Sequence, residues 1–513
     1  MIDTVLILDF GSQYTQLIAR RIRELSVYSV VEPYSISFEK IKSYNPKAII
    51  FSGGPNSVYD KDAPLVDARV FKMNLPILGI CYGMQMITKM LGGEVKPSKE
   101  REYGKAVMTI KDHHTLFHTL PASLTSWMSH GDSCKVLPEG FVCMASTDFT
   151  ENAAFGNVKE KIWGVQFHPE VVHSEKGFQI ISNFLFRCAQ VNANWELGNF
   201  IDHKVAEIKK QVGDRGNVIC GMSGGVDSSV AAVLIHKAIG KKQTCIFVDN
   251  GLHRKGERDK VEEIITKSFE IDLRVVDASE LFLSKLAGIT DPEEKRKAIG
   301  HTFIEVFANE ARSVKDAHFL AQGTLYPDVI ESVPAFGGPT AKIKSHHNVG
   351  CLPEDMKFEL VEPFRELFKD EVREIGRKIG VPEEIVSRQP FPGPGLAIRV
   401  IGEVTKERLE ILRNADEVII RIIKKHNLYT KTWQSFAVLL PLKTVGVMGD
   451  QRTYENVIAL RAVDSVDGMT AIWSRLPYDV MDEISNTIIN TVKGVNRVVM
   501  DISSKPPATI EWE

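Results

Sequence analysis

The sequence predicts an α/β protein, with two doubly wound parallel-sheet domains at 1–195 and 196–388 followed by a smaller α+β domain at 389–513. Three observations carry this expectation. Short apolar, β-rich runs alternate with helical patterns along the first segment, as a parallel sheet with crossover helices requires. The same alternation restarts after Asn192-Ala193-Asn194-Trp195. Finally, Gln389-Pro390-Phe391-Pro392-Gly393-Pro394-Gly395 breaks all helical periodicity and marks a boundary or a binding loop.

The elements follow in order. Val5–Leu8, Ala48–Phe51, Ile77–Ile80 and Ile162–Phe167 read as strands of the first sheet. Val218–Cys220, Thr244–Val248 and His318–Ala321 read as strands of the second, with a helix over Val230–Lys237. In the last segment a helical pattern over Lys406–His426 precedes apolar runs at Val445–Val447, Val457–Leu460 and Val498–Met500. The length, 513 residues, suits about three domains at roughly 150 residues each.

Composition narrows the classes of function. A net charge of -3 with no long basic or acidic run gives no nucleic-acid tract, so small molecules are the expected partners. No stretch of about 18 apolar residues and no signal-like amino end is present, so no membrane association and a cytoplasmic location are expected. The seven cysteines are odd in number and form no CxxC pair, which argues against a disulfide framework and structural zinc.

One cysteine stands apart. Gly79-Ile80-Cys81-Tyr82-Gly83 sets a thiol between a buried strand and a helix, with a glycine two residues away on either side. Such a turn exposes the sulfur at the carboxyl edge of the sheet, and the helix amino end favours a thiolate. Ser52-Gly53-Gly54-Pro55 ends the neighbouring strand, so the N–H groups of Gly53, Gly54 and Tyr82 are the expected oxyanion hole. His168, just after another strand, is the expected base and Glu170 its orienting carboxylate. Any one of these residues is more simply read as structural; their joint placement at strand carboxyl ends favours acyl transfer. Gly79–Gly83 and His168-Pro169-Glu170 resemble the class I glutamine amidotransferases, and that resemblance covers about residues 3–195.

In the second segment Ser223, Gly224, Gly225, Val226, Asp227, Ser228 and Ser229 lie between a strand and a helix. Bare backbone N–H groups, hydroxyls and a helix dipole suit a polyphosphate there. The loop lacks the Gly-Lys-Ser/Thr of a Walker A sequence. It resembles the ATP pyrophosphatase loop, which implies ATP cleaved to AMP and pyrophosphate with Mg2+ bridging the phosphates. Val248 is then expected near the adenine and Gly323 on the same sheet edge.

The two halves together imply an amine made from a carbonyl. Thr324–Ser332, Ile343–Gly350, Phe391–Leu396 and Lys505–Glu513 resemble the GMP synthetase family, and the similarity spans essentially the whole chain. It implies glutamine, XMP and ATP as substrates, XMP contacts at Arg296, Gly393, Lys505 and Glu511, a lid carrying Lys344, and a homodimer formed through the last segment. Taken alone, Lys505 and Glu511 read as a charged tail, and the apolar runs of that segment suit an ordinary core equally well. Asp328 and Glu331 either serve magnesium or cap a helix. His346-His347 point apart on any regular element, so a solvated lid is expected there rather than a metal site. Rival readings are another adenylating amidotransferase and a non-catalytic nucleotide-responsive relic, against which the intact Cys81, His168 and Glu170 speak.

Overall fold

The computed structural model of the chain describes residues 2–332 and 358–513, apart from 449, 466, 467 and 469. The described chain divides into two compact units, one ending at Glu196 and joined by the helix Tyr326–Ser332, the other formed by Leu197–Leu325 and 358–513.

The first unit is built on a nine-stranded sheet. Its strands are β1 Thr4–Asp9, β2 Tyr28–Pro33, β3 Ala48–Phe51, β4 Ile77–Ile80, β5 Glu94–Ile110, β6 Ser123–Val136, β7 Val142–Ser146, β8 Ala154–Asn157 and β9 Ile162–Val165, in the order β2-β1-β3-β4-β9-β8-β7-β5-β6. The half from β2 to β9 is parallel, whereas β8, β7, β5 and β6 continue it antiparallel. The expectation of a parallel sheet holds for the half that carries the chemistry. β3, β4 and β9 are buried at every position, as strands covered on both faces must be, and therefore read as unbroken apolar runs. β6 instead alternates buried and open positions, with Ser, Thr, Asp and Lys on the open face. β6 shows no such apolar run in the sequence for that reason.

The second unit holds a five-stranded parallel sheet of β10 Asn217–Met222, β11 Gln243–Asp249, β12 Asp272–Asp277, β13 Ala317–Ala321 and β14 Glu359–Val361 in the order β12-β11-β10-β13-β14. A smaller sheet pairs β15 Gln434–Met448 with β16 Gln451–Asp464, which is flanked by β17 Ile472–Trp473 and β18 Val495–Asp501. The helix Lys406–Lys425 covers it, starting where Thr405 accepts a hydrogen bond from the Arg408 N–H. Its buried stripe, Leu409, Leu412, Ala415, Val418, Ile419, Ile422 and Ile423, follows helical spacing. One core runs through this unit: Ile219, Ile246 and Leu320 belong to the same cluster as Leu396, Leu412, Leu460 and Ile484. Residues on both sides of position 388 therefore pack together. No helix among the described residues is long and apolar enough to cross a membrane.

The Pro/Gly cluster is part of this core. Leu396 donates its N–H to the Leu252 carbonyl at 2.8 Å, and Gly395 takes φ +62°. A Cβ on Gly395 would lie 2.4 Å from that same carbonyl oxygen, whereas one on Gly393 would meet nothing within 4 Å. Gly395→Ala combines a left-handed backbone penalty with overpacking and is expected to destabilise the chain by about 2–4 kcal/mol. Gly393→Ala is expected to stay within about 0.5 kcal/mol of the parent. Denaturant melts of the two variants check this, and equal midpoints would contradict it.

Candidate active sites

In the first unit the elbow after β4 places Cys81 at φ 52°, ψ -104° as the residue before the helix Tyr82–Met90. The strain sits on the cysteine itself. The glycines on either side serve close approach: a Cβ on Gly79 would lie 2.6 Å from the Gly83 carbonyl carbon, and one on Gly83 would lie 2.5 Å from the Phe51 carbonyl oxygen. The Cys81 N–H is held by the Val165 carbonyl of β9 at 2.8 Å. A tight turn is thus clamped between two neighbouring strands.

His168 and Glu170 follow β9 and are both buried. His168 Nδ1 lies 2.7 Å from Glu170 Oε1, and its backbone is fixed by an N–H bond to the Trp127 carbonyl at 3.1 Å and by Ser174 Oγ on its own carbonyl at 2.6 Å. Burial works against the charged imidazole, yet the Glu170 carboxylate and the facing Cys81 sulfur hold its pKa well above the ordinary value. Glu170 Oε2 is buried without a hydrogen-bond partner, so no second hydrogen bond draws the carboxylate charge away from the ring. The pKa is raised on folding, so His168 stabilises the fold fully below the unfolded value of about 6.5. This contribution is lost as pH rises through the folded value.

Gly53 faces the pair: a Cβ there would lie 3.1 Å from His168 Cε1. Gly54 packs on Phe10, where a Cβ would come within 2.6 Å of the carbonyl oxygen. As the first helical residue, Tyr82 has an N–H with no intrahelical acceptor. Its side chain points elsewhere, donating from Oη to the Pro64 carbonyl at 2.7 Å. What Tyr82 offers an oxyanion is therefore its backbone alone. A backbone carbonyl and two glutamine side chains near the sulfur lie outside the sequence-based expectation. Cys81 Sγ lies 3.7 Å from the Ser129 carbonyl, Gln166 Nε2 lies 3.7 Å from Sγ, and Gln85 Nε2 reaches Gln166 Oε1 at 3.3 Å and the Asp132 carbonyl at 3.1 Å. Gln85, one helical turn after Cys81, was the one legible signal among them.

In the second unit Gly225 caps the helix Val226–Ile239, and Gly224 before it takes φ +71°. Ser223 Oγ and Ser228 Oγ lie 3.1 Å apart, and Ser223 Oγ accepts the Gly225 N–H at 3.3 Å. Asp227 Oδ2 pairs with Lys369 Nζ at 3.1 Å, while its Oδ1 is buried and unpartnered. Ser229 Oγ is likewise buried without a partner. Lys369, a half-buried cation beside the loop from the start of another helix, lies outside the sequence-based expectation. Gly323 after β13 meets the loop, since a Cβ on it would lie 3.3 Å from Asp227 Cβ. Val226 is buried, and Val248 lies in the hydrophobic core, so Val248 can offer a ligand mainly its backbone.

The segment Lys505–Glu513 is ordered by buried cations rather than frayed. Arg461 donates to the carbonyls of Ser503 at 2.6 Å, Thr509 at 3.1 Å and Ile510 at 3.4 Å. Arg399 binds Glu511 through two hydrogen bonds at 3.0 and 2.8 Å, and Gln434 Nε2 adds a third at 2.8 Å. Burial raises the Glu511 carboxyl pKa, but Arg399 and then Gln434 outweigh it and hold it below the usual range. Of the roughly four acceptor directions of a carboxylate, one on Oε2 is left. Lys295, fully buried, pairs with Glu513, and Arg296 Nη2 donates to the Glu513 carbonyl at 2.6 Å. Lys505 Nζ donates to the Gly468 carbonyl at 2.8 Å. Arg296 and Glu511 are thus gathered around one strip, while Lys505 reaches away to Gly468 and Gly393 stands exposed with open space beside it.

Asp328 and Glu331 lie in the helix Tyr326–Ser332. No group of three or more His, Cys, Asp or Glu side chains converges on one point among the described residues. Lys344, His346 and His347 lie outside the described residues.

Glu170→Gln keeps an acceptor for Nδ1 but removes the charge that raises the His168 pKa. The alkaline limb of the acyl transfer expected at Cys81 moves to lower pH, with turnover reduced at least about tenfold. A pH–rate profile reads this, and an unmoved limb would remove Glu170 from its assigned role.

Three family models match the chain: "Glutamine amidotransferase class-I" over residues 6–188, "NAD synthase" over 196–293 and "GMP synthase C terminal domain" over 421–512. Among similar full-length proteins, the glutamine-hydrolysing GMP synthase of Brachyspira hyodysenteriae is 62% identical, covering 100% of this chain and 99% of its own. Those of Maridesulfovibrio salexigens and Aquifex aeolicus are 57% and 58% identical, the first over 100% and 99% of the two chains and the second over 99% of each.

Proposed function

The chain belongs to the glutamine-hydrolysing GMP synthases, and from that premise we propose how its own residues carry the reaction. The enzyme is a ligase that aminates XMP to GMP with ammonia taken from glutamine, using ATP and releasing AMP, pyrophosphate and glutamate.

Glutamine hydrolysis falls to Cys81, His168 and Glu170. The Cys81 sulfur attacks the carboxamide carbon, His168 delivers a proton to the departing ammonia, and a glutamyl thioester remains until water, deprotonated by His168, releases glutamate. The negative oxygen of each tetrahedral intermediate is received by backbone N–H groups at Gly53, Gly54 and Tyr82. The observation that carries this reading is the buried His168–Glu170 pair at 2.7 Å facing a cysteine on a clamped elbow.

At the second site the XMP C2 oxygen attacks the ATP α-phosphorus and pyrophosphate leaves onto the loop Ser223–Ser229. Ammonia then displaces AMP at C2. Mg2+ would neutralise the phosphates, and the buried, unpartnered Asp227 Oδ1 is an acceptor that fits it. Val248 and Gly323 border the nucleotide. Arg296, Gly393, Lys505 and Glu511 contact XMP. In this reading 1–195 is the amidotransferase domain, 196–388 the ATP pyrophosphatase domain and 389–513 the XMP-binding and dimerisation domain of a cytoplasmic homodimer.

An apolar ladder supports the dimer. Val445 and Val447 project from one face of β15, Tyr454 stands opposite Val445 on β16, and all three are more than half exposed. Light scattering at micromolar concentration is expected to give a dimer mass, and the double variant Val445→Asp with Val447→Asp a monomer. A stable monomer of the parent would dispose of the proposal.

Two substitutions separate the half-reactions. Cys81→Ala is expected to abolish GMP formation with glutamine and leave the ammonium-supported rate intact. Asp227→Ala is expected to lower both rates by about 10- to 100-fold. Retained glutamine-supported activity in Cys81→Ala would overturn the nucleophile assignment.

A further inference from the structure

The phosphate loop is held from outside by a residue that neither the loop sequence nor the proposed chemistry includes. Arg388 donates from Nη1 to the Gly224 carbonyl and pairs through Nη2 with Glu257. Both partners are largely shielded, with side chains 15% and 6% exposed. A Cβ on Gly224 would lie 3.3 Å from Arg388 Nη1, 3.4 Å from Glu257 Oε1 and 2.9 Å from Val261. The left-handed Gly224 is therefore pressed onto this pair. Its carbonyl is committed to Arg388, so it is not available to face an anion on the other side of the loop.

The other side of Arg388 leads to Glu511. The Arg388 guanidinium lies 5.7 Å from the centre of the Phe391 ring, and Arg254 and Arg399 lie 5.1 Å from the same ring. Arg399 carries the two hydrogen bonds to Glu511. Gln389, next to Arg388, is pinned at every polar atom of its side chain: its amide nitrogen binds the Tyr429 carbonyl at 2.8 Å and Thr432 Oγ1 at 3.0 Å, and its amide oxygen accepts the Ser435 N–H at 2.8 Å. The loop, Arg388, Phe391, Arg399 and Glu511 form one continuous chain of close contacts.

We propose that Arg388 is a positioning residue that fixes the Gly224 peptide in its anion-accepting form and links it through Phe391 and Arg399 to Glu511, so that polyphosphate on the loop and XMP beside Glu511 strengthen each other's binding. This inference rests on the reading of those two places as the pyrophosphate and XMP sites. Binding linkage is reciprocal, so each ligand must change the other's affinity by the same factor.

Isothermal titration of the full chain with inorganic pyrophosphate in magnesium buffer, with XMP, and with each in the presence of the other measures that factor. The parent is expected to bind each ligand and to tighten by roughly fivefold or more when the other is present. The double variant Arg388→Met with Glu257→Gln removes both charges together, so neither is left buried alone. It is expected to keep its affinity for XMP alone within about twofold, to bind pyrophosphate about tenfold more weakly, and to lose the mutual tightening. Arg388→Lys, which keeps the charge but not the two-pronged reach, is expected to recover pyrophosphate affinity only in part. Unchanged pyrophosphate affinity and tightening in the double variant would overturn the inference while leaving the two sites standing. Equal loss of XMP affinity would reduce Arg388 to a structural role. A parent chain that binds neither ligand would overturn the site assignments and the inference together.

Discussion

The chemistry of this chain depends on backbone meeting backbone at the carboxyl ends of parallel strands, where no side chain fits between. Gly83 lies against the Phe51 carbonyl, Gly54 against the Phe10 carbonyl and Gly395 against the Leu252 carbonyl, each closer than a Cβ allows. At the elbow this approach lets the helix start immediately after β4, which forces the unusual φ and ψ onto Cys81. Such a conformation persists only when its surroundings over-determine it. Here they do, because the N–H of Cys81 and that of Gly83 are each tied to a neighbouring strand, through the Val165 and Ser52 carbonyls.

A second constraint is electrostatic. The last segment carries few apolar anchors and is held instead by buried cations, Arg399, Arg461 and Lys295, whose charges are met by Glu511, Asp501 and Glu513 together with backbone carbonyls. A buried ion pair adds little net stability over a well-packed apolar substitute, but removing one partner is costly. The arrangement therefore fixes geometry more than it adds to the total. In an enzyme whose proposed XMP contacts include Arg296 and Glu511 on this strip, that is a useful property. Arg388 and Glu257 treat the phosphate loop in the same way.

Much of the fold and the first site was legible because burial on both faces leaves an unbroken apolar run. β3 and β4 fall at the expected residues for this reason, and so does the thiol elbow between glycines. His168 and Glu170 were legible as neighbours in sequence that follow such a run. The edge strands β2 and β12, with mostly half-open positions, left no comparable signal. Long-range partners were illegible in principle: nothing in the order of residues connects Arg461 to the carbonyls near 509, Lys369 to Asp227, or Arg388 to Gly224. Likewise, the family resemblance points to Gly393 within Phe391–Leu396, but steric contact makes Gly395 the glycine that the fold requires.

In the proposed reaction a sulfur held on a strained turn opens glutamine by forming a covalent bond. Acid-quenching the enzyme during turnover with glutamine, XMP and ATP, followed by peptide mass spectrometry, tests it directly. A glutamyl group on the peptide bearing Cys81, absent when glutamine is omitted, is the predicted result. Ammonia release with no adduct on Cys81, or an adduct on a different cysteine, would rule out Cys81 as the nucleophile.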